Sequence, residues 1–217
     1  MRVGNLSGLL GCEAMAERSR WRADLARIAV GGSVLAAAAA VVRSGEVGEV
    51  ESSVFRAVNG LPDIHPGVLW PQQQFGNLAV GPIIAAVALA RGNRRLATSA
   101  AVATGLKLAG EKAVKAVVVR HRPGAIVDTA ILRGDVPDGG QSFPSGHATM
   151  VTALAVTMAP HLPRSLRPLP WVAAGLVIAA RVYSGAHHPL DVVGGAGLGL
   201  VVGSATDLLT GGRPGIV

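Results

Sequence analysis

Three short stretches of this sequence combine positive charge with the side chains that bind and transfer phosphoryl groups. The first is KAVVVRHRP, which runs from Lys115 past Arg122, and the second is PSGH at 144–147. The third is RVYSGAHHPLD, from Arg181 to Asp191. Lysine and arginine suit a phosphate dianion, and arginine can hold two of its oxygens in parallel. The three stretches therefore predict a site for a phosphorylated compound.

The polar residues of the second and third stretches suggest individual roles in such a site. Ser145 and Gly146 lie at a predicted helix start, where free N–H groups and the helix dipole favour an anion. Glycine also lets the backbone approach a ligand closely. His147 could protonate a leaving oxygen. His187 could attack phosphorus, and Asp191, four residues later, could orient its ring.

The distribution of apolar residues predicts an all-α membrane protein with six transmembrane helices. The chain has 217 residues, of which 50% are hydrophobic and 15% charged. We expect a cytoplasmic segment at 1–26, the helical domain at 27–210 and a short tail at 211–217. The first apolar run could instead be a cleaved signal sequence. The six predicted spans are 28–42, a part of 69–90, 96–119, 145–159, 171–183 and 190–209.

Basic residues orient the predicted helices. They concentrate before the first helix, between the second and third, and between the fourth and fifth, so the positive-inside rule places these segments in the cytoplasm. The loops at 44–68, 120–144 and 184–189 then face outward, and all three motif stretches meet at the outer boundary. Arg120, Arg122 and Arg133 lie against this charge bias and need another explanation. The expected location is the plasma membrane.

Charge and cysteine content exclude two other classes of protein. The net charge of +7 could suggest nucleic acid, but the basic residues flank apolar runs and aromatic residues make up only 3% of the chain. We therefore expect no nucleic-acid partner. The single cysteine, Cys12, excludes an intramolecular disulfide. The apolar stretch before it is too short for a lipoprotein signal peptide.

Taken together and in order, the three stretches resemble the signature of the type 2 phosphatidic acid phosphatase superfamily. That signature is a lysine, six residues and Arg-Pro; then Pro-Ser-Gly-His; then an arginine, five residues, a histidine, three residues and an aspartate. One position departs from it, since Ala180 stands where the family usually has serine. The matching residues here are Lys115, Arg122-Pro123, Pro144-Ser145-Gly146-His147, Arg181, His187 and Asp191.

The resemblance implies an integral membrane lipid phosphatase that needs no metal or other cofactor. In this family's mechanism His187 would attack phosphorus, Asp191 would support it, and His147 would protonate the leaving group. His187, rather than the adjacent His188, keeps the family spacing to the arginine and the aspartate. Expected substrates are a polyprenyl phosphate or diphosphate, phosphatidic acid or phosphatidylglycerol phosphate. The implied phosphate ligands are Lys115, Arg122, Ser145, Gly146 and Arg181.

Other functions remain open at this stage. A phosphotransferase would use the same residues to pass phosphate to a lipid or sugar acceptor. A vanadate-dependent haloperoxidase has a similar pocket, but those enzymes are soluble. A lipid-phosphate binding protein would need the cations but not the reacting histidines. Beside the motifs, Lys107 and Glu111 share a helix face with Lys115 and are expected to support it, and Arg120 and His121 could contact a headgroup.

Overall fold

The computed structural model describes residues 6–134, 136–137 and 139–211, and every regular element among them is helical. The predicted all-α fold is therefore confirmed for this part of the chain. Most of the predicted tail, 212–217, and the side chain of Cys12 lie outside the described residues. The helices are α1 (Leu6–Val42), α2 (Glu49–Asn59), α3 (Pro66–Phe75), α4 (Val80–Ala90), α5 (Arg94–Val117), α6 (Pro123–Ile126), α7 (Gly146–Met158), α8 (Leu169–Tyr183) and α9 (Pro189–Thr210).

Helix boundaries follow the predicted apolar runs closely in the second half of the chain and less well in the first. Helices α5, α7, α8 and α9 begin and end within about two residues of the runs. The second predicted span is instead two helices, α3 and α4, which are separated by Gly76 and the three residues after it. Helix α1 extends well before its predicted start, and α2 forms where only a short amphipathic piece was expected.

Helix α9 packs against α1 on one face and α7 on another, and glycine makes both contacts close. A Cβ atom on Gly199 would lie 2.6 Å from Cβ of Thr152 in α7. On the other face, a Cβ on Gly31 of α1 would lie 2.5 Å from the carbonyl oxygen of Gly197. Small residues allow such backbone approach, which drives helix association where lipid replaces water. The α7-facing stripe repeats every four residues, at Gly195, Gly199 and Gly203.

Two helices among the described residues are long and apolar enough to cross a membrane. They span Arg18–Val42 and Pro189–Thr210, and Val80–Ala90 is a shorter apolar helix. Large apolar side chains also remain exposed around the bundle, including Val30 at 56%, Ile83 at 57% and Val172 at 57%. Scattered exposed apolar residues are normal, but long helices covered with them fit a lipid environment better than water. These features favour a membrane environment for the bundle.

Arg133, one of the three arginines that break the charge bias, has a structural explanation. Its Nη1 donates to the carbonyl oxygens of Asn59 at 2.7 Å and Tyr183 at 2.8 Å, and its Nη2 donates to that of Leu61 at 3.0 Å. Its Nε donates to Asp63 at 2.8 Å, and the guanidinium lies 4.2 Å from the centroid of the Tyr183 ring. Arg133 thus ties the loop after α6 to the ends of α2 and α8.

Candidate active site

The second and third motifs meet where α7 and α9 begin. The backbone N–H of Ser145 donates to the carbonyl oxygen of Asp191 at 2.9 Å. Gly195, one turn into α9, makes this contact possible, because a Cβ there would lie 2.5 Å from the Ser145 carbonyl oxygen. Ser145 is also the N-cap of α7, and its Oγ accepts a hydrogen bond from the N–H of Ala148 at 3.4 Å. The predicted helix start is confirmed.

His187 lies in the short loop between α8 and α9, beside Asp191. The N–H groups of Ala186 and His187 both donate to the carbonyl oxygen of Arg181, at 3.1 and 3.2 Å, which holds the loop against the end of α8. Nδ1 of His187 is 3.6 Å from Oδ2 of Asp191, within ion-pair range but longer than a hydrogen bond. Asp191 Oδ2 also accepts the backbone N–H of His188 at 2.8 Å. The Nδ1 side of the ring therefore faces Asp191, and Nε2 lies on the opposite side of the ring.

Burial favours the neutral form of His187. Its side chain is 3% exposed, and this burial lowers the pKa of His187 to about 4. Asp191 opposes the shift, while the positive charges of Arg181 and Arg122 add to it. A neutral imidazole at physiological pH keeps the lone pair that a nucleophile requires.

Arg122 and Arg181 lie close to His187 without a carboxylate partner among the described residues. Arg122 Nη1 donates to the carbonyl oxygen of Ala186 at 2.9 Å. The Nε atoms of both arginines are buried and have no hydrogen-bond partner in the described part of the chain. Two desolvated guanidinium groups near one another repel, so the pair is stabilised by an anion between them. The two guanidinium groups are therefore candidate ligands for an anion.

Lys115 reaches the start of α7 through Glu111. Lys115 Nζ is 2.6 Å from Oε1 of Glu111, and Lys107 Nζ is 2.5 Å from Oε2. A Cβ on Gly146 would lie 2.7 Å from the same Oε2, so the carboxylate lies directly against the first turn of α7. Glu111 therefore places a negative group where Lys115 and the helix dipole both favour an anion. The predicted support of Lys115 by Glu111 agrees with this geometry.

His147 is covered by a residue that the sequence analysis missed. Gly76 follows α3, and a Cβ there would lie 2.5 Å from Cδ2 of His147. The break between α3 and α4 therefore lies directly on the His147 side chain. The missed signal was the isolated glycine inside an apolar run, which often marks close backbone approach.

An apolar groove begins one helical turn after His147. It has a volume of about 630 Å³, and α7 lines it with Val151, Leu154 and Met158, among others. These residues follow His147 by four, seven and eleven positions and so share its face of the helix. Trp70 belongs to the opposite wall.

Arg120 belongs to the buried part of the site, and the suggested headgroup contact is wrong. It is 7% exposed. Its guanidinium makes two hydrogen bonds to Glu51, at 2.9 and 2.6 Å, and one to Asp191 at 3.0 Å. Burial alone would lower the pKa of Arg120, but the two carboxylates raise it overall. The available signal was the four-residue spacing of Glu51, Phe55 and Asn59, the buried face of α2.

Metal ligands do not cluster in the described part of the chain. No group of three or more histidine, cysteine, aspartate or glutamate side chains there could hold a metal ion. Every predicted site residue lies at or next to the junction of α7, α9 and the loop before α9, apart from Lys115, which is connected to it by Glu111.

Comparison with known proteins places this arrangement in context. A family model described as the PAP2 superfamily matches residues 96–211, which contain all three motifs. A decaprenylphosphoryl-5-phosphoribose phosphatase of Mycobacterium tuberculosis is 34% identical over 173 residues, covering 75% of this chain and 92% of that protein. An undecaprenyl-diphosphatase of Sulfolobus acidocaldarius is 31% identical over 118 residues, covering 54% of this chain and 57% of that protein.

A solved structure shares the fold. The crystal structure of a transmembrane PAP2-type phosphatidylglycerolphosphate phosphatase from Bacillus subtilis aligns with a TM-score of 0.64 at 22% identity. The alignment covers 83% of this chain and 95% of that one. The likeness in structure supports a PAP2 membrane-protein fold.

Proposed function

Because this chain belongs to the PAP2 superfamily, we propose that it is an integral membrane phosphatase that hydrolyses a lipid-linked phosphate through a phosphohistidine. The observation that carries the proposal is the junction of the three motifs. There, Arg122 and Arg181 lie without carboxylate partners among the described residues, beside a neutral His187 that faces Asp191. Binding alone would require the cations, whereas a buried histidine oriented by a carboxylate provides a nucleophile.

In the first step, Nε2 of His187 attacks phosphorus and the bond from phosphorus to the lipid oxygen breaks. Arg122, Arg181 and the start of α7 hold the phosphoryl oxygens and stabilise the charge that develops on them. His147 donates a proton to the departing oxygen. Asp191 faces Nδ1 of His187 and stabilises the positive charge that the ring gains with the new N–P bond.

In the second step, water attacks the phosphohistidine. His147, now neutral, accepts a proton from the water, the N–P bond breaks, and inorganic phosphate leaves. His187 returns to its neutral form. The ammonium group of Lys115 binds the phosphate once it leaves Glu111. No step requires a metal ion, so we expect activity in the presence of a chelator.

The substrate we favour is a polyprenyl-linked phosphate. The groove along α7 starts one helical turn after His147, which protonates the lipid oxygen in this mechanism, so a long hydrocarbon chain can continue from the reacting phosphate into apolar surroundings. A chain buried there gains about 0.8 kcal/mol per CH₂ group. The two relatives described above are named for polyprenyl compounds. Phosphatidic acid and phosphatidylglycerol phosphate are the competing substrates.

We further propose that the chain crosses the plasma membrane six times, with α3 and α4 together forming the second span, and that the site opens outside the cytoplasm. The arginine-rich segments before the first span, at 91–95 and at 164–167 lie together on one side in this arrangement. On the opposite side, Arg120, Arg122, Arg133 and Arg181 are buried or half-buried at or near the site, whereas Arg43 and Arg56 are exposed. Labelling of single cysteines placed in 91–95 and at exposed positions near 128 in intact cells tests this topology.

The primary experiment measures phosphate release by purified protein in detergent with EDTA. The panel is a polyprenyl phosphate, a polyprenyl diphosphate, phosphatidic acid and phosphatidylglycerol phosphate. We expect release by the parent protein and none by His187→Ala. His188→Gln is the matched control, because it changes the adjacent buried histidine and leaves His187 with its partners.

The same preparation separates hydrolysis from the alternatives. A phosphatase forms inorganic phosphate in the absence of any acceptor and yields an acid-labile labelled protein when the reaction is quenched early. A transferase would form product only after an alcohol or sugar acceptor is added. A folded parent protein that binds the lipids but releases no phosphate under either condition would refute the proposed function.

A further inference from the structure

A chain of three buried charged side chains runs from α2 to the active-site aspartate. Glu51 of α2 pairs with Arg120 through both carboxylate oxygens, and Arg120 Nη1 continues to Oδ1 of Asp191 at 3.0 Å. The exposed fractions of the Glu51 and Arg120 side chains are 7% and 6%, and that of Asp191 is 0%. Glu51 lies outside the three stretches, and Arg120 lies within the first but is not one of its signature residues.

Burying these charges is costly, which argues for a role beyond packing. The effective penalty is several kcal/mol per ion, and a buried ion pair often stabilises a fold no better than apolar residues would. Glu51 and Arg120 would already neutralise each other as a pair. The addition of Asp191 leaves one net negative charge on these three side chains, and the carboxylate that carries it lies 3.6 Å from Nδ1 of His187.

We propose that Arg120 and Glu51 are positioning residues that fix Asp191 for its action on His187. Arg120 holds Oδ1 of Asp191 while the backbone N–H of His188 holds Oδ2, so the carboxylate cannot rotate away from the histidine. Glu51 neutralises Arg120, and Asp191 therefore keeps its negative charge for the histidine. The inference rests on the proposed phosphatase function.

Helix α2 also fixes the position of the first turn of α9. Oε1 of Glu51 accepts the backbone N–H of Leu190 at 2.9 Å. The Phe55 ring, one turn further along α2, packs against the His188 ring with centroids 5.5 Å apart. Asp191 follows directly after Leu190. Helix α2 therefore fixes both the backbone position of Asp191 and, through Glu51 and Arg120, the position of its carboxylate.

The charges predict that removing Arg120 and removing Glu51 have opposite effects on the protonation of the site. The charged groups that face His187 are Asp191 from α9, Arg181 from α8 and Arg122 from the segment before α6. Arg120→Gln removes a positive charge, so Glu51 and Asp191 repel and protonation of the site becomes easier. Glu51→Gln removes the carboxylate that neutralises Arg120. The full positive charge of Arg120 then acts on Asp191, so Asp191 stabilises the positive charge of the His187 ring less.

The experiment compares four variants on the best lipid of the phosphatase panel. We expect Arg120→Gln and Glu51→Gln to lower kcat by roughly 10- to 100-fold while KM stays within about threefold, since the change affects alignment rather than phosphate binding. The acid limb of the pH profile should move to higher pH in Arg120→Gln and not in Glu51→Gln. The double variant should recover about tenfold over Arg120→Gln, because the repulsion is gone.

Arg133→Gln is the matched control. It removes another arginine that is bound by several hydrogen bonds near the same end of the bundle but makes no contact with Asp191. It should lower the melting temperature and leave the acid limb in place. If Arg120→Gln does not fold, Arg120→Lys keeps the charge and should retain the parent acid limb with a reduced kcat.

Two results would overturn the inference while the proposed function stands. One is a parental kcat and acid limb in both single variants, and the other is a folded double variant no more active than Arg120→Gln. A parent protein that is inactive on every lipid would overturn the proposed function itself, and this inference with it.

Discussion

Replacing Asp191 by asparagine isolates the charge that the mechanism assigns to this residue. The change keeps the size of the side chain and an oxygen that can accept the N–H of His188, which now donates to Asp191 at 2.8 Å. It removes the negative charge 3.6 Å from Nδ1 of His187. The new amide group can only donate towards His187 Nδ1–H or towards Arg120, both of which are donors themselves.

The expected loss follows from the distance. Two unit charges 3.6 Å apart interact by about 4–5 kcal/mol at an effective dielectric constant of about 20. Each 1.36 kcal/mol corresponds to about a tenfold change in rate. If most of this interaction is present when the ring becomes positive, Asp191→Asn lowers kcat by roughly 10²- to 10³-fold. KM should change little, because the phosphate ligands are intact.

The assay is steady-state phosphate release with EDTA, together with the amount of phosphoenzyme in quenched reactions. Asp63→Asn is the control, since Asp63 also pairs with an arginine, at 2.8 Å, but its side chain is 85% exposed. An exposed pair of this kind contributes at most about 1 kcal/mol to folding, and activity should be unaffected. A folded Asp191→Asn protein with kcat within tenfold of the parent would refute the assigned role.

Three further changes test the close contacts and the charge state of the site. Gly76→Ala places a methyl group against His147, so phosphate release should fall about tenfold or more while binding of inorganic phosphate persists. Gly199→Ala forces α9 away from α7 and should cost about 1–3 kcal/mol, seen as a lower melting temperature. Gly175→Ala, where the added methyl group enters open space, should not lower the melting temperature. Equal effects of the two substitutions would contradict the packing argument. In NMR of histidine-labelled protein, His187 should remain neutral from pH 8 to 5 and gain its proton only near its pKa of about 4. Titration near 6.5 would contradict the burial argument.

The helices and motif residues that sequence predicted correctly depend on local signals. Helix α7 begins after an N-cap serine and α9 begins at a proline, and both are typical helix starts. The family predicted from the motif spacing is confirmed, because the matching region contains all three motifs. Such spacing is informative because it brings His187, in the loop before α9, within 3.6 Å of Asp191 in the first turn of that helix.

The features that sequence did not predict depend on contacts between distant segments. Glu51 and Arg120 are 69 positions apart, and charged residues in a connecting segment are normally expected at the surface. Nothing local to either residue indicates that the other will be there to neutralise it. The close approach of Gly76 to His147 has the same cause, because a Cβ on Gly76 would lie 2.5 Å from Cδ2 of a residue in a distant segment.

The pairing of the arginines identifies the anion site without reference to any motif. Four arginines are buried or half-buried at the end of the bundle where α7 and α9 begin. Arg120 is neutralised by two carboxylates, and Arg133 binds Asp63 and three carbonyl oxygens. Arg122 and Arg181 form no ion pair with a carboxylate among the described residues, although desolvation makes an unpaired charge costly. We therefore expect a phosphate bound between these two guanidinium groups to stabilise the fold, and both are among the predicted phosphate ligands.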